Sequence, residues 1–381
     1  MRRGPKVLPQ RQKNNCVLSI ARQGSLAAMV VGGLEMATYD SVFNAIGLRD
    51  WCDTAKTDND RPMSMAELLA KSKGQSGVET SWWELPFPSL DALNKACAAF
   101  PQSRDVTVGV EKSFLSIKDS LRFVLDPITQ PLSWFLEWAL SLFQATPWWV
   151  MIPVLMVIVY LASKSWRLVF FVAACIAFLA FIDHYEHAIQ TLAIIFVCAF
   201  LCVVFGVPIG IAMSRSDTMQ KLTIPILDML QTLPPFVYLI PLIFLFSVTE
   251  PKLYGIAIIL YAIVPVIRLT DLGIRLVDTD VIEAADSFGM TNTQKLFGVQ
   301  VPLALPNIMA GINQTIMMSL AMVVIASLVS APGLGVLVLR GIRNLELGVG
   351  LISGLGIVLL AIILDRVTKA ALDRVNAAQK Q

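Results

Sequence analysis

The sequence predicts an all-α polytopic membrane protein. Of 381 residues, 56% are hydrophobic and 15% charged, with a mean hydropathy of +0.67, too apolar for an ordinary soluble domain. From residue 147 to residue 364, long apolar runs alternate with short polar breaks, and a helix needs about 20 such residues to cross the hydrocarbon core. The net charge of +2 is near balance, and basic residues are not interleaved with aromatic ones, which removes nucleic acid as a partner.

The first 120 residues differ in kind from the rest. Arg2, Arg3, Lys6, Arg11, Lys13 and Arg22 precede an apolar stretch at 26–34, so a signal or anchoring segment is expected within 24–46. The stretch either spans, with its tip in the cytoplasm, or lies at the interface, and Glu35 and Asp40 weigh against an eighth span; in both cases the polar region that follows lies outside. Frequent charges between Arg49 and Asp126, with the break Pro86-Phe87-Pro88, place this region in water or at the bilayer surface. Cys52 and Cys97 pair only if the region faces an oxidising compartment. Residues 121–146 read as an amphipathic interfacial helix, with Leu132, Phe135, Leu136 and Leu140 beside Trp134 and Trp138, closed by Trp148 and Trp149.

Seven spans follow in a permease-sized domain at 147–370: 147–162, 167–182, 188–213, 222–247, 253–269, 303–329 and 347–364. Cys198 and Cys202, one turn apart in the third, read as small packing residues. Basic residues in short loops favour the cytoplasm. Lys164, Arg167, Arg215, Lys221, Arg268, Arg275, Lys295, Arg366, Lys369 and Arg374 fall on one side by strict alternation, which puts the C-terminal tail 371–381 inside and the N-terminal region outside. Arg340 and Arg343 break the pattern, and Pro332, Gly333, Gly335 and Gly341 mark a re-entrant segment around them.

Prolines 208, 234, 235, 241 and 265 lie within these spans, where each frees backbone groups that lipid cannot satisfy. Asp228, Gln231 and Pro235 share one face of the fourth span, and Pro234 adjoins it. Asn307, Gly311, Gln314 and Met318 form a stripe on the sixth. Such faces line a pathway or bond to a neighbouring helix, and the pattern leaves both readings open.

Between the fifth and sixth spans lies a polar hinge, 279–300. Asp280 and Glu283 have capping-box spacing and start a short helix; Gly289 stops it; Thr291 and Gln294 repeat the box. Val281, Ala285 and Phe288 share a face, and the small side chains of Ala284 and Ala285 permit close approach. A docking helix and a plain surface helix-turn-helix both fit this pattern.

The hinge resembles the EAA loop of ABC-transporter membrane subunits: Glu283-Ala284-Ala285, Gly289, Val299 and Val301-Pro302 match its spacing, with Val in place of Ile and of Leu. Further stretches are similar to the permeases of glycine betaine/proline betaine importers, from about residue 126 to 370. These are 231–241 (Gln-Thr-Leu-Pro-Pro-Phe-Val-Tyr-Leu-Ile-Pro), 267–270, 303–315, 322–327 and 361–366. The resemblance implies a type I ABC importer transmembrane domain in a bacterial inner membrane, with a cytoplasmic coupling helix. It implies that Glu283 to Gly289 contact an ABC ATPase subunit, and that the complex includes a homodimer of this chain and an extracytoplasmic solute-binding protein. The cargo implied is a quaternary or methylated amine; choline, carnitine, trimethylamine N-oxide or an amino acid are alternatives.

Motifs for other chemistry are missing. The sequence contains no Gly-Lys dipeptide and therefore no phosphate-cradling loop, so ATP hydrolysis is expected on another chain. Asp183-His184-Tyr185-Glu186-His187 reads as a surface loop rather than a metal site, no nucleophile motif stands out, and no cofactor is expected. A membrane channel or an intramembrane enzyme is the rival class; the first does not need a capped docking loop, and the second needs converging catalytic groups.

Overall fold

The structure is a computed structural model that describes residues 47, 89–96 and 100–379. The expected anchor at 24–46 and the Cys52–Cys97 pair lie outside the described residues. The chain divides into two compact units, 1–117 and 118–381. In the first, α1 (Leu90–Ala96) is tied to the start of α2 (Ser103–Ala145), where the Ser103 hydroxyl and N–H both donate to Asp91. The described residues contain helices and no strand.

In the second unit, α2 continues to a 113° bend and leads into α3 (Trp148–Ser163). Its buried Ser133, Leu136 and Ala139 pack inward, whereas Trp134, Trp138, Trp148 and Trp149 stay more than half exposed, as indoles at a membrane interface do. Next come α4 (Trp166–Phe181), α5 (Tyr185–Arg215), α6 (Asp217–Thr232), α7 (Leu239–Leu245) and α8 (Pro251–Arg275). The remainder is α9 (Thr279–Ser287), α10 (Asn292–Lys295), α11 (Val301–Ala326), α12 (Leu334–Asn344) and α13 (Leu347–Gln379).

Each of the seven expected spans is helical, but their count changes. Among the described residues, four stretches are individually long and apolar enough to cross: α5, α8, α13 and residues 292–329; counting the bent pairs α2/α3 and α6/α7 as one each gives six. The 16-residue α4 is about 24 Å long at 1.5 Å per residue, short of the ~30 Å core. The fourth span is not continuous. Pro234 and Pro235 force Leu233 into extended backbone (ψ 132°), and α6 and α7 diverge by 102°. Carbonyls freed at the break are taken up by the Tyr238 hydroxyl, which donates to Leu230 and, at 3.1 Å, to Leu233. Likewise the C-terminal tail is not a separate piece, because α13 runs unbroken to Gln379. There the Arg374 guanidinium donates to the Leu161 carbonyl at the end of α3.

Helix α8 is the axis of the unit, flanked by α5 and α11. Small residues let the backbones approach, since helices in lipid associate through close packing rather than the hydrophobic effect. A Cβ on Gly210 of α5 would sit 2.7 Å from the Ile267 carbonyl oxygen, and one on Gly311 of α11 3.2 Å from that of Pro265. Cys198 and Cys202 are fully buried in α5, as small packing side chains. On another flank α3 and α4 form a hairpin whose Val159, Val172, Ile176 and Leu179 pack with Leu360 and Ile363 of α13. Around Arg340 and Arg343 the chain forms α12, an exposed-face helix whose first N–H, on Leu334, donates to Thr191 of α5 at 3.0 Å.

One charged clasp joins α2 to α8. Lys252, with a side chain only 5% exposed, pairs with Asp126 at 2.7 Å and Glu250 at 2.9 Å, and Arg122 reaches both carboxylates. The hydrogen bond from Lys252, more than that from Arg122, holds the Asp126 carboxyl below its ordinary value. A lowered acid stabilises the fold above the ordinary carboxylate range, and that contribution disappears as pH falls through the lowered value. Lys252→Met is expected to cost about 1–3 kcal/mol, less than the ~3–5 kcal/mol of a fully buried pair, because the carboxylates keep 34% and 29% exposure. In thermal melts, the gap between variant and wild type should be full at neutral pH and narrow below about pH 4.

Candidate functional site

The hinge forms as a capped pair of short helices between α8 and α11. Its N-cap is Asp278, whose carboxylate accepts the Asp280 N–H at 3.0 Å, so Asp280 sits inside the first turn rather than capping it as expected. At the other end, Gly289 at φ +75° closes a Schellman turn: its N–H donates to Asp286 O at 2.9 Å and the Met290 N–H to Ala285 O at 3.2 Å. The second cap matches expectation, with Thr291 N–H donating to Gln294 Oε1 at 2.9 Å and Gln294 N–H to Thr291 Oγ1 at 3.4 Å. Lys295 Nζ, 2.6 Å from Asp286 Oδ1, staples α10 to the end of α9.

The face of α9 is not the one the spacing suggests. Ala285 is buried at 6% exposure and turns toward its own chain, while Phe288, at 86%, stands out with Val281, Glu283 and Ala284. The outward stripe is therefore Val281, Ala284 and Phe288, and Met290 and Phe297 are exposed beyond it. Leu296 anchors the base among Ile274, Ala304 and Ile308.

The expected pathway residues are not brought onto one surface. Gln231 is half-buried at the end of α6, and Pro234 and Pro235 form the break itself, so Pro235 does not continue the Asp228–Gln231 face. Asp228 instead pairs with Arg268 of α8. On α11, Asn307 packs against α8, where a Cβ on Gly273 would meet its Cβ at 2.7 Å, and Gly311 faces the same helix. Gln314 is exposed on another side, with Met318 half-buried.

Sequence spacing missed the cross-helix polar groups. Arg275 gathers Asp217 (2.8 Å), Asp271 (3.0 Å) and the Met213 carbonyl (2.9 Å), and Gln220 donates to Asp271 at 2.7 Å, knitting the ends of α5, α6 and α8. Asn313 of α11 donates to Asp365 of α13 at 3.4 Å and accepts from Thr368. Asp271 and Arg275 are one turn apart on α8, but the other partners lie 40 to 62 residues apart and leave no local pattern; in sequence Arg268 and Arg275 signal only sidedness. His184 contacts the Ile182 carbonyl at 2.7 Å and the Ser353 hydroxyl at 3.2 Å, which accounts for both ring nitrogens.

Comparison with known proteins places this architecture. Residues 203–378 match the binding-protein-dependent transport system inner membrane component family. The glycine betaine/proline betaine transport system permease protein ProW of Escherichia coli K12 is 41% identical over 290 residues, covering 74% of this chain and 78% of that one. The glycine betaine transport system permease protein OpuAB of Bacillus subtilis 168 is 42% identical over 224 residues, 57% of this chain and 79% of that one. The glycine betaine/carnitine transport permease protein GbuB of Listeria monocytogenes 10403S is 43% identical over 209 residues, 55% and 73%. The chain thus belongs to the binding-protein-dependent inner membrane components, as a multi-pass permease subunit of an ABC importer rather than an enzyme.

Proposed function

We propose that two copies of this chain form the translocation pathway of a type I importer for glycine betaine, proline betaine or a closely related methylated amine, and that an ATPase subunit docks on α9. One observation carries the docking: an outward apolar stripe ending in Phe288, on a helix capped at both ends and hung between the two most intimately packed spans. A push on so rigid a connector reaches α8 and α11 together, and closure of an ATPase pair would rock them between inward-open and outward-open states. Asp280, Glu283, Ala284, Phe288 and Gly289 make or shape that contact; Ala285 supports it from beneath.

The basic ends of the helices, α9 and the end of α13 then lie in the cytoplasm. A solute-binding protein delivers cargo on the opposite side, and its own pocket sets selectivity, where aromatic faces suit a methylated cation. Gln231, Pro234 and Pro235 at the α6/α7 break, with Gln314 and Met318, border the route; Asn307 holds α11 on α8. Carnitine is a second reading, favoured by the similarity to the glycine betaine/carnitine permease.

Co-reconstitution with the cognate ATPase and binding protein tests both parts. Uptake of glycine betaine should require ATP and exceed that of carnitine and trimethylamine N-oxide. Glu283→Lys, at an exposed position with no ion-pair partner among the described residues, should leave insertion unchanged and lower substrate-stimulated ATP hydrolysis several-fold. Uptake without nucleotide, or labelling of a cysteine at 288 from outside the cell, would refute the reading.

A further inference from the structure

Helix α6 is held to α8 by polar side chains more than by buried apolar surface. Of its sixteen residues only Leu227 is buried, against Met213, Val264 and Ile267. Its polar links to α8 pair in reverse chain order: Asp217 with Arg275 at 2.8 Å, Gln220 with Asp271 at 2.7 Å, and Asp228 with Arg268. The two helices therefore run antiparallel and share a polar ladder.

The middle rung is the best protected. Asp271 has a side chain only 8% exposed, and both of its carboxylate oxygens are engaged: Oδ1 accepts from Arg275 Nε at 3.0 Å, one turn along its own helix, and Oδ2 accepts from the Gln220 amide of α6. A carboxylate withdrawn from water loses much when a partner leaves, so this rung resists sliding of α6 along α8. The outer rungs use exposed Asp217 and Asp228, and such pairs add little by themselves.

Each end of the ladder meets an element that the proposed function uses. Beyond Arg275, only Leu276, Val277 and Asp278 precede α9. Beyond Asp228, α6 ends at the Pro234–Pro235 break, and the Tyr238 hydroxyl on the far side donates to the Leu230 and Leu233 carbonyls. Covalent and hydrogen-bonded links thus run without a gap from α9 to the break.

We propose that Gln220 and Asp271 are positioning residues for transport: they make α6 and the adjoining half of α8 move as one body, so that force received at α9 reaches the α6/α7 break. This inference rests on the reading of α9 as the docking helix. Without the middle rung, α8 would shift past α6, and ATP would be spent with the break unmoved.

The test uses the full complex in proteoliposomes and reads solute taken up per ATP hydrolysed. Gln220→Glu, of equal size, sets a carboxylate against that of Asp271; the ratio should fall about tenfold, the scale of one hydrogen bond to a charged group, with ATP hydrolysis near the wild-type rate. Adding Asp271→Asn, also of equal size, lets the new amide donate to the new carboxylate, and the ratio should return close to that of wild type. A purely structural role would change the amount of assembled complex and not this ratio. Should Gln220→Glu fail to insert, Gln220→Met, which removes the donor without adding a charge, is read in its place, and the same fall is expected. An unchanged ratio in the single variant, or a double variant as uncoupled as Gln220→Glu, overturns the proposal. Wild type without ATP-driven uptake would refute the docking reading itself, and this inference with it.

Discussion

Phe288→Asp is expected to lower ATP-driven uptake by the reconstituted importer at least tenfold, about 1.4 kcal/mol of lost docking energy or more, with normal abundance in the membrane. The side chain is 86% exposed, so the chain's own fold gains little from it, and exposed substitutions usually change stability by no more than about 0.5 kcal/mol. A protruding aromatic ring is, however, the kind of group that dominates an interface once it enters a partner's pocket. A carboxylate buried there in its place would be unpaired. Gly289 gives a second handle on the same surface. Its φ of +75° admits Asn but strains a β-branched residue, and nothing lies within 4 Å of an added Cβ. Gly289→Val should therefore reduce uptake while Gly289→Asn is nearly neutral. Retained uptake and coupling in Phe288→Asp would remove α9 as the docking element.

The other large effect is expected at the α5–α8 seam. Gly210→Ala places a methyl group 2.6 Å from Thr270 Cβ and 2.7 Å from the Ile267 carbonyl oxygen, and a backbone oxygen in a packed helix cannot step aside. Overpacking of this kind costs about 1–3 kcal/mol, which lowers a melting midpoint by roughly 2–4 °C per kcal/mol in a domain of this size. Gly354→Ala is the matched control, mid-helix in α13 with nothing within 4 Å of the added atom. It should be neutral or slightly stabilising, since Ala is the better helix former. Thermal melts of the two variants in the same detergent separate packing from propensity; equal midpoints would show that the seam relaxes.

Much of this was legible in the residues. The Thr291–Gln294 capping box and the Gly289 stop are short-range signals, and each has the geometry its spacing implies. The hydrophobic runs gave the helices, and Trp134, Trp138, Trp148 and Trp149, read as surface anchors, are exposed. Spacing misjudged Asp280, because Asp278 two residues earlier also fits a cap and Pro-free local pattern cannot choose between them. It misjudged Ala285 because three residues on one helical face are equally consistent with facing inward or outward. Pro234-Pro235 was read as a tolerated break, but two successive residues without N–H groups turn the chain by 102°.

By itself the sequence determined that this chain lives in a membrane as helices and carries a capped hinge, since hydropathy, backbone satisfaction and caps act over one or two turns of neighbouring residues. Only the tertiary structure decided which side of α9 faces outward, that Asp228 serves Arg268 and Asp365 serves Asn313, and that α8 is the axis. Those outcomes depend on helix rotation and on contacts between residues 40 or more apart, where lipid supplies no hydrophobic bias and the fit of small side chains settles the packing.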